Sequence, residues 1–111
     1  MKGTYLGEFE ELVLLTVGVL QKEAYGVAIK LDLEERTKRK PSIGALHSAL
    51  SRLEKKGFLS SHEGGATKER GGRRKRFYKI TAAGERALLR SHELRNELFN
   101  LIPNFSLNRG S

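Results

Sequence analysis

"SIGALHSALSRLEKKGFL", residues 42–59, is the stretch on which the fold turns. Ile43, Leu46, Leu50 and Leu53 recur at helical spacing and predict a core stripe on a helix over residues 42–56. Pro41 closes whatever precedes it, Ser42 is a good N-cap, and Gly57 stands where the helix ends. Half a turn away from the stripe lie Gly44, Ala45, Ser48, Ser51, Arg52 and Lys55, which are small, hydroxylic or basic, with no acid among them. Glu54 falls near the edge of the core side instead.

Two helices are expected upstream. Residues 8–22, "EFEELVLLTVGVLQK", begin with acids where the helix dipole favours them and continue with Phe9, Leu12, Val13, Val17 and Leu20 near helical spacing. Leu14 and Leu15 make this helix apolar nearly all round, so two of its faces need cover, a first sign of a partner chain. Residues 25–40 carry Tyr25, Ile29 and Leu33 at i, i+4, i+8, with Glu34, Glu35 and Arg36 on the wet side.

Downstream, "FLSSHEGG" (58–65) and "RRKRFYKIT" (73–81) alternate around the glycine-rich "GGATKERGG", which predicts a hairpin with a long basic loop. Alternating Phe77, Tyr78 and Ile80 separate this segment from a disordered basic arm, which has no need of them. Thr81 caps a last helix over about residues 82–102, closed by Pro103, on the order of 30 Å long. Its second half carries Leu94, Leu98, Leu101 and Ile102, with Leu88 and Phe99 beside them. Residues 104–111 are expected to be a flexible tail.

The totals bound the class. With 111 residues the chain makes one domain with a modest core, 38% hydrophobic and 31% charged. A net charge of +8 biases the partner towards a polyanion, nucleic acid before membrane surface. There is no cysteine, and the longest apolar run, residues 12–20, is too short to span a bilayer. The chain therefore reads as soluble and cytoplasmic, with no membrane role.

Three helices, a basic hairpin and a long closing helix give a mainly α chain with a small β-hairpin (α+β): a winged helix-turn-helix with an added C-terminal dimerisation helix. Residues 1–80 would be the DNA-binding unit, with its recognition helix at about 42–56 and wing at about 58–81, and residues 81–103 the dimerisation helix. Such units lay the third helix in the major groove and run the wing along phosphates. Small side chains near the helix start admit the backbone to base edges, and Arg or Lys further along neutralises phosphate.

Three blocks, "AYGVAIKLDLEERT", "SIGALHSALSRLEKKGFL" and "ERGGRRKRFYKITAAGERAL", resemble in order and spacing the PadR family of bacterial transcriptional regulators, over about residues 7–90. The matching positions are Tyr25, Gly26 and Ile29; Gly44, Leu46, Ala49, Leu50, Arg52, Leu53, Glu54 and Gly57; and Gly72, Tyr78, Thr81 and Gly84. Ala45, His47 and Ser48 depart from the family's usual Thr, Tyr and Pro, which leaves the operator sequence open. The resemblance implies a winged-helix homodimer whose C-terminal helix packs on the partner. It also implies binding to a palindromic operator of double-stranded DNA and, in many members, release by a small-molecule effector. Some members stack flat aromatic compounds on tryptophan, a mode this Trp-free chain lacks.

The expected DNA contacts are Ser42, Gly44, Ala45, His47, Ser48, Ser51, Arg52 and Lys55 on the third helix, and Lys68, Arg70, Arg73, Arg74 and Arg76 on the wing. Among them Arg52 is expected to read the operator. The expected dimer contacts are Phe9, Leu12, Leu88, Leu94, Leu98, Phe99, Leu101 and Ile102; of these, Phe9, Leu94, Leu98 and Phe99 are alternatively read as lining an effector pocket. No cofactor is implied. His47, His62 and His92 fall on different elements without cysteine, so no metal site is expected. Asp32 is the sole aspartate, and neither a nucleophile elbow nor a P-loop occurs, so no enzyme is expected. A winged helix serving as a protein-interaction or RNA-binding module remains the alternative.

Overall fold

The computed structural model describes residues 5–64 and 75–103; the wing-tip residues Lys68, Arg70, Arg73 and Arg74 and the tail 104–111 lie outside the described residues. Helix α1 is Glu8–Leu20, followed by a single 3₁₀ turn, Gln21–Glu23. Helix α2 is Gly26–Thr37 and α3 is Ile43–Lys55. Strands β1, Leu59–Glu63, and β2, Arg76–Ile80, pair antiparallel with Leu59 opposite Ile80 and Glu63 opposite Arg76. Helix α4, Ala82–Leu101, closes the described chain. A mostly helical chain with one hairpin is the architecture expected from the sequence.

The core is where α1, α2 and α3 meet the root of the hairpin. Val13, Leu14, Val17, Ile29, Leu33, Leu46, Leu50 and Leu53 are fully buried there, with Phe58, Leu59, Tyr78 and Ala87 alongside. On α3 the buried residues are Leu46, Ala49, Leu50 and Leu53. Ile43, expected to open the core stripe, is instead 48% exposed, because the first turn of α3 projects beyond the body that covers the later turns. In α1 the buried residues are Glu10, Val13, Leu14, Thr16 and Val17; of the expected stripe Val13 and Val17 are buried, while Phe9, Leu12 and Leu20 pack on the core only in part.

Local chemistry sets the boundaries. Ser42 Oγ accepts from Ala45 N–H at 3.0 Å and starts α3. Gly57 follows the C-cap Lys56 with φ of +83°, a left-handed conformation that glycine adopts without strain. Helix α2 stops three residues short of the expected Lys40. The Thr37 hydroxyl donates to Leu33 O at 2.7 Å and accepts from Arg39 N–H at 3.2 Å, and Lys38 turns left-handed.

A third short segment joins the hairpin. Tyr25 forms an isolated antiparallel bridge with Phe77, and Tyr78 N–H donates to Ala24 O at 2.8 Å. Thr81 ties α4 to the end of α3. Its hydroxyl donates to Gly57 O at 2.6 Å and accepts from Gly84 N–H at 3.0 Å, while its N–H donates to Phe58 O at 3.1 Å. Gly84 permits that approach, since a Cβ there would sit 2.3 Å from Phe58 O.

Candidate nucleic-acid interface

Packing of Leu46, Ala49, Leu50 and Leu53 into the core fixes which side of α3 faces out. Gly44, Ala45, His47, Ser48, Ser51, Arg52 and Lys55 are all exposed there, together with Ser42 at the cap. The expected candidates of α3 thus share one exposed face. Glu54 is exposed as well, contrary to its expected place at the core edge, and accepts from Ser61 Oγ at 2.6 Å. At the start of the helix Ile43 adds an apolar side chain to the same end. Beside it, Arg39, Lys40, Pro41, Ala45 and Phe9 border a shallow groove.

Arg52, expected to read the operator, is held by an acid of another helix. Its Nε donates to Glu10 Oε2 at 2.7 Å, while its side chain stays 52% exposed. Glu10 itself is 6% exposed and takes Lys56 Nζ at 2.7 Å and Gly7 N–H at 2.9 Å on Oε1. Burial pushes the Glu10 pKa up, but hydrogen bonds from Lys56, Gly7 and Arg52 and the Lys56 charge outweigh it and hold the carboxyl at about 2. An ionised carboxylate therefore sits beneath the C-terminal half of α3.

The root of the wing is also tied. Arg76, an expected phosphate contact, donates to Ser61 Oγ at 2.9 Å and lies 3.8 Å from Glu63. Lys75 Nζ stands 4.0 Å over the Tyr25 ring, which meets Phe77 edge-on at 5.5 Å, and His62 stacks on Phe77 at 5.8 Å. Burial, then the Glu54 charge, raises the Tyr78 pKa, with Arg76 opposing. The wing thus rises from an aromatic base packed on the turn after α1.

The expected dimer residues divide. Leu94, Leu98 and Leu101 of α4 are exposed, the first two at 56% and the third at 69%, as are Phe99 and Ile102. From His92 onward no described residue of α4 is buried. Leu12 and Leu88 are half-buried against their own core, because α4 crosses α1 near Ala87. Phe9 is also half-buried, with the Arg39 guanidinium 5.6 Å over its ring, on the side towards α3 rather than α4. The residues expected to line one effector pocket are thereby separated. Leu94 and Leu98 border a different groove of about 620 Å³ with Tyr5, Leu6, Arg90 and Arg95.

Glu10, which the structure sets against Arg52, is not singled out by the sequence reading. Its signal is present in the sequence: Glu10, Val13, Leu14 and Val17 form an i, i+3, i+4, i+7 stripe, which places an acid on the buried face. Leu15, which widens the apolar surface of α1, is exposed, as are Val19 and Leu89, which the spacing does not single out. Among the described residues no cluster of His, Asp and Glu is placed to hold a metal, and no helix is long and apolar enough to cross a membrane.

The fold defines a winged-helix protein with an extra C-terminal helix. A sequence model of the transcriptional regulator PadR-like family matches residues 14–90, well over half of the chain, and the chain belongs to that family. Solved relatives agree. A transcriptional regulator from Clostridium thermocellum is 26% identical over 86% of this chain and 90% of its own, with a TM-score of 0.68. A PadR-like transcription factor from Bacteroides fragilis is 28% identical over 93% of this chain and 89% of its own, again at 0.68. The ORC1 protein of Aeropyrum pernix, solved in complex with DNA, shares the fold at 23% identity and a TM-score of 0.62, over 78% of this chain and 24% of its own. A search of the curated proteins gives no match.

Proposed function

We propose that this PadR-like regulator is a cytoplasmic repressor that binds a palindromic DNA operator as a homodimer. Residues 1–80 would form its DNA-binding unit and residues 81–103 its dimerisation helix. The observation that carries the proposal is the exposed face of α3, where Gly44, Ala45, His47, Ser48 and Ser51 lead into Arg52 and Lys55. Small and hydroxylic groups at the start of the helix let the backbone approach base edges, and Ile43 offers an apolar contact for a thymine methyl. The cations nearer its end meet phosphates, as do the wing arginines in the sequence. Membership of a family of transcriptional regulators supports the DNA-binding reading.

Dimerisation is inferred from α4, whose second half leaves Leu94, Leu98, Leu101 and Ile102 exposed among the described residues. Release by a small effector belongs to the same proposal, and the groove bordered by Leu94, Leu98, Arg90 and Arg95 is the surface for it. Anisotropy titrations against duplex DNA and single-stranded RNA of the same sequence, at matched salt, test the proposal. Duplex binding should fall steeply with salt, with a log–log slope of roughly −6 to −9 for about seven to ten phosphates. RNA bound as tightly as duplex would overturn it in favour of an RNA-binding module.

A further inference from the structure

Helix α3 ends against an ion network that its DNA-facing residues do not need for packing. Arg52 donates through Nε alone, to Glu10 Oε2 at 2.7 Å. No described residue besides Glu10 pairs with the Arg52 side chain, which is half-exposed. Lys56 holds the other carboxylate oxygen and donates as well to Tyr5 O. Glu10 is therefore fixed by two donors, Lys56 Nζ and Gly7 N–H, before Arg52 reaches it, and it fixes in turn the plane of the guanidinium. A guanidinium held at Nε presents its Nη pair outward as a preset fork, the geometry that matches two oxygens of one phosphate.

Position along the helix selects phosphate over base. Arg52 lies in the last turn of α3, ten residues after the Ser42 cap, which is about 15 Å along the axis. In helix-turn-helix proteins the N-terminal part of the recognition helix meets base edges, so a last-turn side chain is placed to meet the strand beside the groove. We propose that Glu10 is a positioning residue for DNA binding, holding Arg52 as a preset clamp for one backbone phosphate and thereby setting the register of α3. The proposal rests on the DNA-binding reading above. It departs from the expectation that Arg52 reads the operator.

The test is a double-mutant cycle on a mixed-sequence duplex, titrated over a range of salt, with thermal unfolding of each variant at neutral pH. Arg52→Ala and Glu10→Gln should each weaken binding about tenfold, and each should reduce the log–log salt slope by about one. The double variant should bind no more weakly than Arg52→Ala alone, because Glu10 acts through Arg52. Lys56→Met, which removes the other partner of Glu10, should lower the unfolding temperature and leave the slope unchanged. Arg52→Lys, which leaves Glu10 in place should Glu10→Gln not fold, keeps the charge but loses the fork and should recover less than half of the lost binding free energy. The proposal is overturned if Glu10→Gln lowers only the unfolding temperature, if its effect persists in the Arg52→Ala background, if Arg52→Lys binds like the wild type, or if Arg52→Ala affects operator but not mixed-sequence DNA. Wild-type protein that binds no duplex would instead sink the DNA-binding reading itself.

Discussion

Glu10 and Glu11, neighbours in the first turn of α1, hold opposite helices. Glu10 takes Arg52 and Lys56 of the α3 end, while Glu11 takes Arg95 Nη2 at 3.0 Å and Ser91 Oγ at 3.1 Å from α4. One turn of helix thus joins the proposed DNA-reading helix to the proposed dimer helix. Adjacent residues on a helix point about 100° apart, so one pair of like side chains can serve both sides.

The Glu10 carboxyl makes stability pH-dependent. Its folded pKa of about 2 lies below the ordinary 4.5, so the unfolded chain takes up a proton first as pH falls. The contribution is present in full above about pH 5 and is lost between pH 4.5 and 2, on the order of 3 kcal/mol at most. Thermal unfolding of the wild type should drop across that window, and Glu10→Gln, which has no proton to gain, should lose less over the same range.

Gly84→Ala should destabilise by about 2–4 kcal/mol in denaturant unfolding. The new methyl would lie 2.3 Å from Phe58 O and 2.9 Å from Ile80 Cγ2, so α4 must lift from the hairpin root. Gly18→Ala meets only the Ile80 Cδ1 tip, at 3.0 Å, and gains helix propensity of up to about 1 kcal/mol. A Gly18→Ala loss as large as that of Gly84→Ala would refute this account of the close approach.

Paired substitution Leu94→Asp with Leu98→Asp should convert dimer to monomer with helicity retained, since both side chains are exposed within one protomer. Two buried leucines are worth about 3 kcal/mol or more across an interface, a weakening of at least about 100-fold. Sedimentation equilibrium reads it directly. Unchanged association would remove α4 from the dimer contact.

His47→Ala and Lys55→Ala should separate reading from anchoring. His47 lies in the second turn of α3 and its loss should narrow the preference for operator over mixed DNA by about 1–3 kcal/mol. Lys55 lies at the end, and its loss should weaken both DNAs alike and reduce the salt slope by about one. Anisotropy titration on both duplexes distinguishes the two patterns.

The elements themselves were legible. Ser42 and Thr81 cap α3 and α4 as expected, Gly57 takes the left-handed position, and β2 falls within the alternating run before Thr81. Helical and strand periodicities are local, and caps satisfy backbone groups within three or four residues, so sequence alone carries them. The exposed face of α3 was legible for the same reason: burying Leu46, Leu50 and Leu53 leaves the other side out.

Side-chain partners were not. Arg52 and Glu10 are 42 residues apart and Arg95 and Glu11 are 84 apart, and nothing local says which acid a given cation meets. The stripe placing Glu10 on a buried face is visible, yet its meaning depends on cations brought by another helix. Phe9 and Leu94 both looked like members of one apolar surface until packing rotated α1 and set them on different grooves. The sequence determined the helices, the hairpin and the basic surface, because each follows from short-range periodicity and composition. The tertiary structure decided that Arg52 is held by Glu10, that Ile43 faces out and that the second half of α4 stays exposed among the described residues, because those outcomes depend on how helices rotate and cross to fill one small core.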